Sequence, residues 1–149
     1  MEENRQTIVL RQTILRVCFD IFSKEENKAE GRIYGISLKE AKNFSSPDEL
    51  LLRLDQVMDE IGAPQASRET RSFEGSKEPQ ARVKNSMEIP TMHSNEEILA
   101  EKGRTKTVNL LFQSRYYSSW QGIMMDDTGR NLGEFKSDLE LLGLLGISI

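Results

Sequence analysis

The two ends of this chain resemble each other, and that limits what it can fold into more than any other feature. Residues 17–54 laid on residues 108–145 align without a gap at a constant offset of 91. Nine positions are identical: Val17/Val108, Ser23/Ser114, Gly31/Gly122, Phe44/Phe135, Ser46/Ser137, Glu49/Glu140, Leu50/Leu141, Leu51/Leu142 and Leu54/Leu145. Average composition gives roughly two or three by chance over such a length. The pattern predicts two like units that fold alike.

Each unit reads as strands followed by a helix. Residues 13–22 are rich in β-branched and aromatic side chains with partial alternation, which predicts a strand. Its Leu15, Val17, Phe19 and Ile21 are expected on one side, Arg16, Cys18 and Asp20 on the other. A polar turn over Lys24–Lys28, a strand from Glu30 to Ser37 and a short strand ending at Phe44 follow. Ser46, Pro47 and Glu49 then spell a helix start, and Leu50, Leu51, Leu54, Val57, Met58 and Ile61 form one apolar stripe. Gly62 and Pro64 end it.

The second unit repeats the plan. Val108, Leu110 and Phe112 alternate, a turn near Ser118 leads to a strand with Met124, and Asp126–Gly129 reads as a tight turn. Leu132 and Phe135 mark the returning strand, and Ser137 and Glu140 start a helix carrying Leu141, Leu142 and Leu145. Between the units, residues 63–94 hold three of the four prolines and few apolar groups, which predicts a flexible connector. Ser94–Glu97 then starts a short helix, expected through Lys102 and stopped by Gly103.

A unit of about 45 residues buries too little core to stand alone. The expected architecture is therefore α+β: two pseudo-repeated βββα units, 1–62 and 95–149, on a shared antiparallel sheet with the helices on one face. The connector is long enough to let them dock.

The block Ser119-Trp120-Gln121-Gly122, preceded by Phe112 and Arg115 and followed by Phe135-x-Ser137-x-x-Glu140-Leu141, resembles a group of small proteins from gut Clostridia and related Firmicutes. Their signature is an SWQG block, a strand and turn, then FxSxxEL. Gly31-Arg32-Ile33-Tyr34 and the helix through Pro64-Gln65 are similar to that group's N-terminal half. The group usually continues the second helix with apolar residues, where this chain has Gly143 and Gly146. The resemblance implies no activity.

Function classes narrow by subtraction. The net charge of −4, divided as −3, +1 and −2 over residues 1–62, 63–94 and 95–149, names no partner. It argues against gripping nucleic acid with the whole surface. The one cysteine, Cys18, rules out an internal disulfide and is expected as a buried small hydrophobe. No apolar run reaches the ~20 residues of a membrane span, and no signal-peptide core opens the chain, so the expectation is a cytoplasmic protein without membrane partners. One histidine, His93, and one cysteine make a nucleophile–base pair or soft-metal site hard to build. Asp126-Asp127 is expected in a turn rather than on a metal. No enzyme, catalytic residue, metal or cofactor is expected.

The candidate binding residues are Arg115, Tyr116, Tyr117, Trp120 and Gln121, because Arg, Tyr and Trp dominate interaction hot spots. The counterparts Glu25, Glu26 and Ala29 in the first unit are not aromatic. Within the cluster, Trp120 is the one best suited to a core. The expected role is a non-catalytic protein-interaction module whose partners include, in one version, a second copy of itself. An alternative is single-stranded nucleic-acid binding through Lys102, Arg104, Lys106 and Arg115. A third is a small phage or mobile-element inhibitor such as an anti-CRISPR protein.

Overall fold

A computed structural model describes residues 8–62, 89–116 and 119–149, with the side chain of Tyr116 left aside. The order is β1 (Ile14–Ser23), β2 (Lys28–Tyr34), β3 (Lys42–Phe44), α1 (Pro47–Ile61), α2 (Asn95–Leu99), β4 (Lys106–Tyr116), β5 (Ser119–Asp126), β6 (Asn131–Phe135) and α3 (Asp138–Leu145). The strands form one six-stranded sheet in the order β3-β2-β1-β4-β5-β6, and every neighbouring pair is antiparallel. The class is α+β.

Local chemistry sets the helix ends. At α1, Ser46 Oγ accepts the Glu49 N–H, Pro47 opens the helix, and Gly62 closes it in the left-handed conformation. At α3, Ser137 accepts the Glu140 N–H and Gly146 is the left-handed cap. Gly143 lies inside α3 and does not break it. At α2, Ser94 and Glu97 form a full capping box, and the helix ends at Leu99 with Ala100 as cap, short of Lys102.

α1 and α3 pack with Leu15, Val17, Phe19, Val108, Leu110 and Phe112 in one large core. Each fully buried aliphatic or aromatic side chain there is worth about 2 kcal/mol of burial. α2 is on the other face. Its Ile98 joins Leu10, Ile14 and Ile36 in a second, smaller cluster. The helices of the two units, α1 and α3, thus share one face, while the Ile8–Leu10 segment and the short α2, which belongs to neither unit's expected helix, cover the reverse side.

A correction concerns β1. Its register against β2 jumps between Phe19 and Ile21, a bulge at Asp20. One extra residue reverses the alternation. Ile21 is therefore 47% exposed, and Phe22 packs against the core in its place. The ladder from β4 to β5 jumps in the same way between Phe112 and Ser114.

The bulges sit beside two close approaches. Gly31 is paired with Phe19 on one side and Phe44 on the other. Gly122 is paired with Phe112 and Phe135. A Cβ at Gly31 would come within 1.9 Å of the Cys18 carbonyl oxygen, and one at Gly122 within 2.1 Å of the Leu111 oxygen. Only glycine fits either place.

The halves are tied crosswise. The tail after α3 reaches the β1–β2 turn, where Asn27 Nδ2 donates to Ser148 O at 2.8 Å and Ser148 N donates to Asn27 Oδ1 at 2.8 Å. From the other half, Arg115 at the end of β4 reaches α1. The expected connector begins beyond Gly62, and most of it lies outside the described residues. Its last part, 89–94, is docked: Ile89 is buried in the large core, and the Met92 and His93 N–H groups both donate to Ile36 O.

Candidate functional site

Two residues of the proposed binding cluster are interior. The Arg115 side chain is 4% exposed, with Nη1 on Asp55 Oδ1 and Nη2 on Asp59 Oδ1, both at 2.8 Å. Asp55 and Asp59 are one helical turn apart on α1, so a forked guanidinium spans both. Trp120 is 3% exposed and meets Phe112 edge to face at 5.8 Å between centroids. It pairs across the ladder with Arg115. Its Nε1 is buried without a hydrogen-bond partner among the described residues. As surface contacts these two are corrected: burial commits them to packing and to α1. Gln121 is exposed, Tyr116 contributes its backbone opposite Ser119, and Tyr117 is outside the described residues.

This makes Arg115→Ala a test of the assignment. Asp55 and Asp59 keep 47% and 65% of their side-chain surface, so water re-solvates them and softens the loss. The vacated interior is not so compensated. The variant should lose about 2 kcal/mol of stability by urea unfolding. An unchanged midpoint would return Arg115 to the surface role.

The alternative basic residues do not make one continuous positive face. Lys102 Nζ is 3.7 Å from Asp127. The Arg104 N–H donates to Asp20 Oδ1, and Arg32 pairs with the same carboxylate at 3.1 Å. Burial works against the Asp20 charge, but these donors outweigh it and hold its pKa below the ordinary aspartate value. Lys106 Nζ stands 5.4 Å over the Phe22 ring.

Asp126-Asp127-Thr128-Gly129 is a turn. Asp126 Oδ1 accepts from the Thr128 N–H, the Thr128 hydroxyl and the Arg130 N–H, and the Gly129 N–H reaches Asp126 O. Among the described residues no group of three or more His, Cys, Asp or Glu side chains is placed to hold a metal. Cys18 is buried, and burial raises its thiol pKa to about 11, so it is protonated and unreactive at neutral pH. No helix among the described residues is long and apolar enough to cross a membrane.

Sequence reasoning missed two features. One is a groove of about 460 Å³ between α2 and the β2–β3 connection, lined by residues that include Tyr34, Leu38, Lys39, His93, Glu97 and Glu101. Its only sequence signal was His93, whose Nε2 lies 3.1 Å from Leu38 O and 3.2 Å from Lys39 O. The other is the outer side of α3. Five of its eight residues are leucine, and Leu139 and Leu144 remain 60% and 39% exposed. Leu144 lies over Gly133 of β6, which is an outer strand of the sheet, and Leu132 on that strand is 47% exposed. The opposite edge is treated differently: Arg53, 91 residues before Leu144, donates from Nε to Asn43 O of β3.

No protein-family model, curated protein or solved structure matches the chain.

Proposed function

We propose that the chain is a non-catalytic protein-interaction module made from two copies of a βββα unit, with its docking surface on α3 and β6. The duplication is supported by the glycine-centred ladders, Phe19–Gly31–Phe44 and Phe112–Gly122–Phe135, and by the shared bulge after the first phenylalanine of each. These relate β1 to β4 by 93 residues and the later strands by 91. The two-residue difference falls in the hairpins, where Ser23 closes on Lys28 but Tyr116 closes on Ser119. Kinship with the SWQG-bearing proteins of gut Clostridia belongs to the same proposal.

The observation that carries the binding role is the exposed leucine surface of α3. Scattered exposed leucines are ordinary. Here they sit on a short helix that is apolar nearly all round, beside an outer strand, where the first half places Arg53. A helix apolar on its solvent side is expected to be covered. Nucleic-acid binding and a phage-inhibitor role draw no specific observation of this kind.

The test is affinity capture from the host with the full chain, followed by titration of the captured protein. Leu139→Glu with Leu144→Glu should weaken binding at least about a hundredfold, the scale of losing two hot-spot contacts. Leu139→Glu alone should leave melting nearly unchanged, since that side chain is 60% exposed. Leu144, 39% exposed and packed over Gly133, adds a modest loss that melting of the single variants separates from binding. Undiminished binding by the double variant would remove α3 as the docking surface.

A further inference from the structure

We infer that the groove between α2 and the β2–β3 connection is a binding site for a small aliphatic amino acid, held by its ammonium at one end and its carboxylate at the other. This goes beyond the interaction role and involves none of its residues.

The groove has a body and two ends. Its lining includes the buried Leu38 and Ile98, 2% and 4% exposed, and Tyr34 packs against the small cluster that holds Ile98. A volume of about 460 Å³ suits a small molecule. The apolar part of the lining selects a ligand with a hydrocarbon body.

The rim carries both signs of charge with bonding capacity left over. Glu97 and Glu101 are four residues apart and both line the groove. Glu97 uses Oε1 on the Ser94 N–H at 2.7 Å, which leaves Oε2 without a hydrogen-bond partner among the described residues. Glu101 is shared between Arg32 at 3.8 Å, a loose pairing, and the Tyr34 hydroxyl, which donates to it. His93 points Nε2 at the Leu38 and Lys39 carbonyls, so that nitrogen carries the proton. Its Nδ1 lies 3.8 Å from Glu97 Oε1, which keeps the ring beside that carboxylate. The two carboxylates thus flank a place for an ammonium, with Glu97 Oε2 as the open acceptor. Lys39 also lines the groove, and its ammonium, unlike its carbonyl, has no partner among the described residues, so it is the counterpart for a carboxylate.

A ligand with one charged end leaves the opposite rim unpaired, and a ligand with two like ends meets a like charge.

The experiment titrates the full ¹⁵N-labelled chain with single aliphatic amino acids, from glycine to 6-aminohexanoate, and with n-butylammonium and butyrate as one-ended probes. At least one amino acid should bind with a Kd below about 1 mM. It should shift the Gly35, Ala41 and Ala100 amide signals and leave those of α3 in place. Lys39→Met and Glu97→Gln should each weaken it about tenfold, the scale of one lost charge-assisted contact. Glutamine keeps the Ser94 capping bond, so Glu97→Gln should melt as the parent does. No shift with any amino acid at millimolar concentration overturns the site. One-ended probes binding as tightly as the best amino acid overturn the two-ended recognition, as does indifference to both substitutions.

Discussion

Gly31→Ala should leave little folded protein at room temperature, a loss above about 4 kcal/mol. The added Cβ would stand 1.9 Å from the Cys18 carbonyl oxygen, 2.9 Å from its carbon and 3.0 Å from Phe19 Cα. All three are backbone atoms of the neighbouring strand, so no side chain can rotate away. Relief requires β2 to move off β1, which opens the ladder between Val17↔Ile33 and the bulge at Asp20. The rings that flank the glycine would separate too, since Phe19 meets Phe44 edge to face at 5.6 Å across it. Gly122→Ala should act in the same way through Leu111 O at 2.1 Å and the Phe135 ring at 2.7 Å.

The control is Gly143→Ala. Nothing lies within 4 Å of its added Cβ, and the site is inside α3. Alanine there should stabilise by about 0.5–1 kcal/mol. Far-UV circular dichroism and urea unfolding of the three variants check the set. A stable Gly31→Ala protein would mean the strands have slack at this point, and the explanation of why both halves keep a glycine there would fail.

These glycines also show how much of the fold could be read from the chain. Gly31 and Gly122 align at the offset of 91 because both follow their hairpins. The capping signals were legible for a local reason: a serine, a proline and a glutamate three residues on satisfy their own helix end without distant help. The alternation of β1 was legible up to Phe19 and failed at Ile21. A bulge is set by the partner strand, and β1 alone does not record it. The gapless alignment placed Val17 on Val108, and these two residues do face each other, but as cross-strand partners between β1 and β4.

The candidate site was harder to read. Arg115 and Trp120 belong to residue types that suit a hot spot and a core equally well. What decides is Asp55 and Asp59, 56 or more residues away in sequence. The groove drew no warning because its parts come from β2, the segment after it, the 89–93 strap and α2. Only His93 was visible, as an isolated residue. The face of α2 followed from a side chain that the sequence marked as ordinary: Arg16.

Arg16→Met should cost about 3 kcal/mol and release α2 from the sheet before the rest of the fold gives way. The side chain is 1% exposed and lies on the reverse face, beneath α2. Its Nε donates to Glu101 O at 2.8 Å and Nη2 to Leu99 O at 3.3 Å, which holds the carbonyls where α2 ends. Its Nη1 reaches Asn109 Oδ1 at 3.2 Å and Asp127 O at 3.3 Å. Burial lowers the guanidinium pKa, but an arginine so placed stays charged. Its compensation comes mainly from carbonyl dipoles, and the more distant Asp127 and Glu101 charges assist. Buried ion pairs can often be exchanged for a hydrophobic pair, because both partners can be substituted. Three of the four acceptors here are backbone oxygens, which no second substitution removes. Methionine fills much of the volume and leaves all four acceptors without their donor, so the loss reads hydrogen bonding rather than packing. For a chain of this length, 3 kcal/mol corresponds to a fall of roughly 10 °C in Tm. Hydrogen exchange gives the spatial test: Ile98 and Ala100 amides should lose protection while β1 and β4 amides keep theirs. A fall in Tm of under about 3 °C, or protection lost evenly over the sheet, would mean that Arg16 is not what fastens α2.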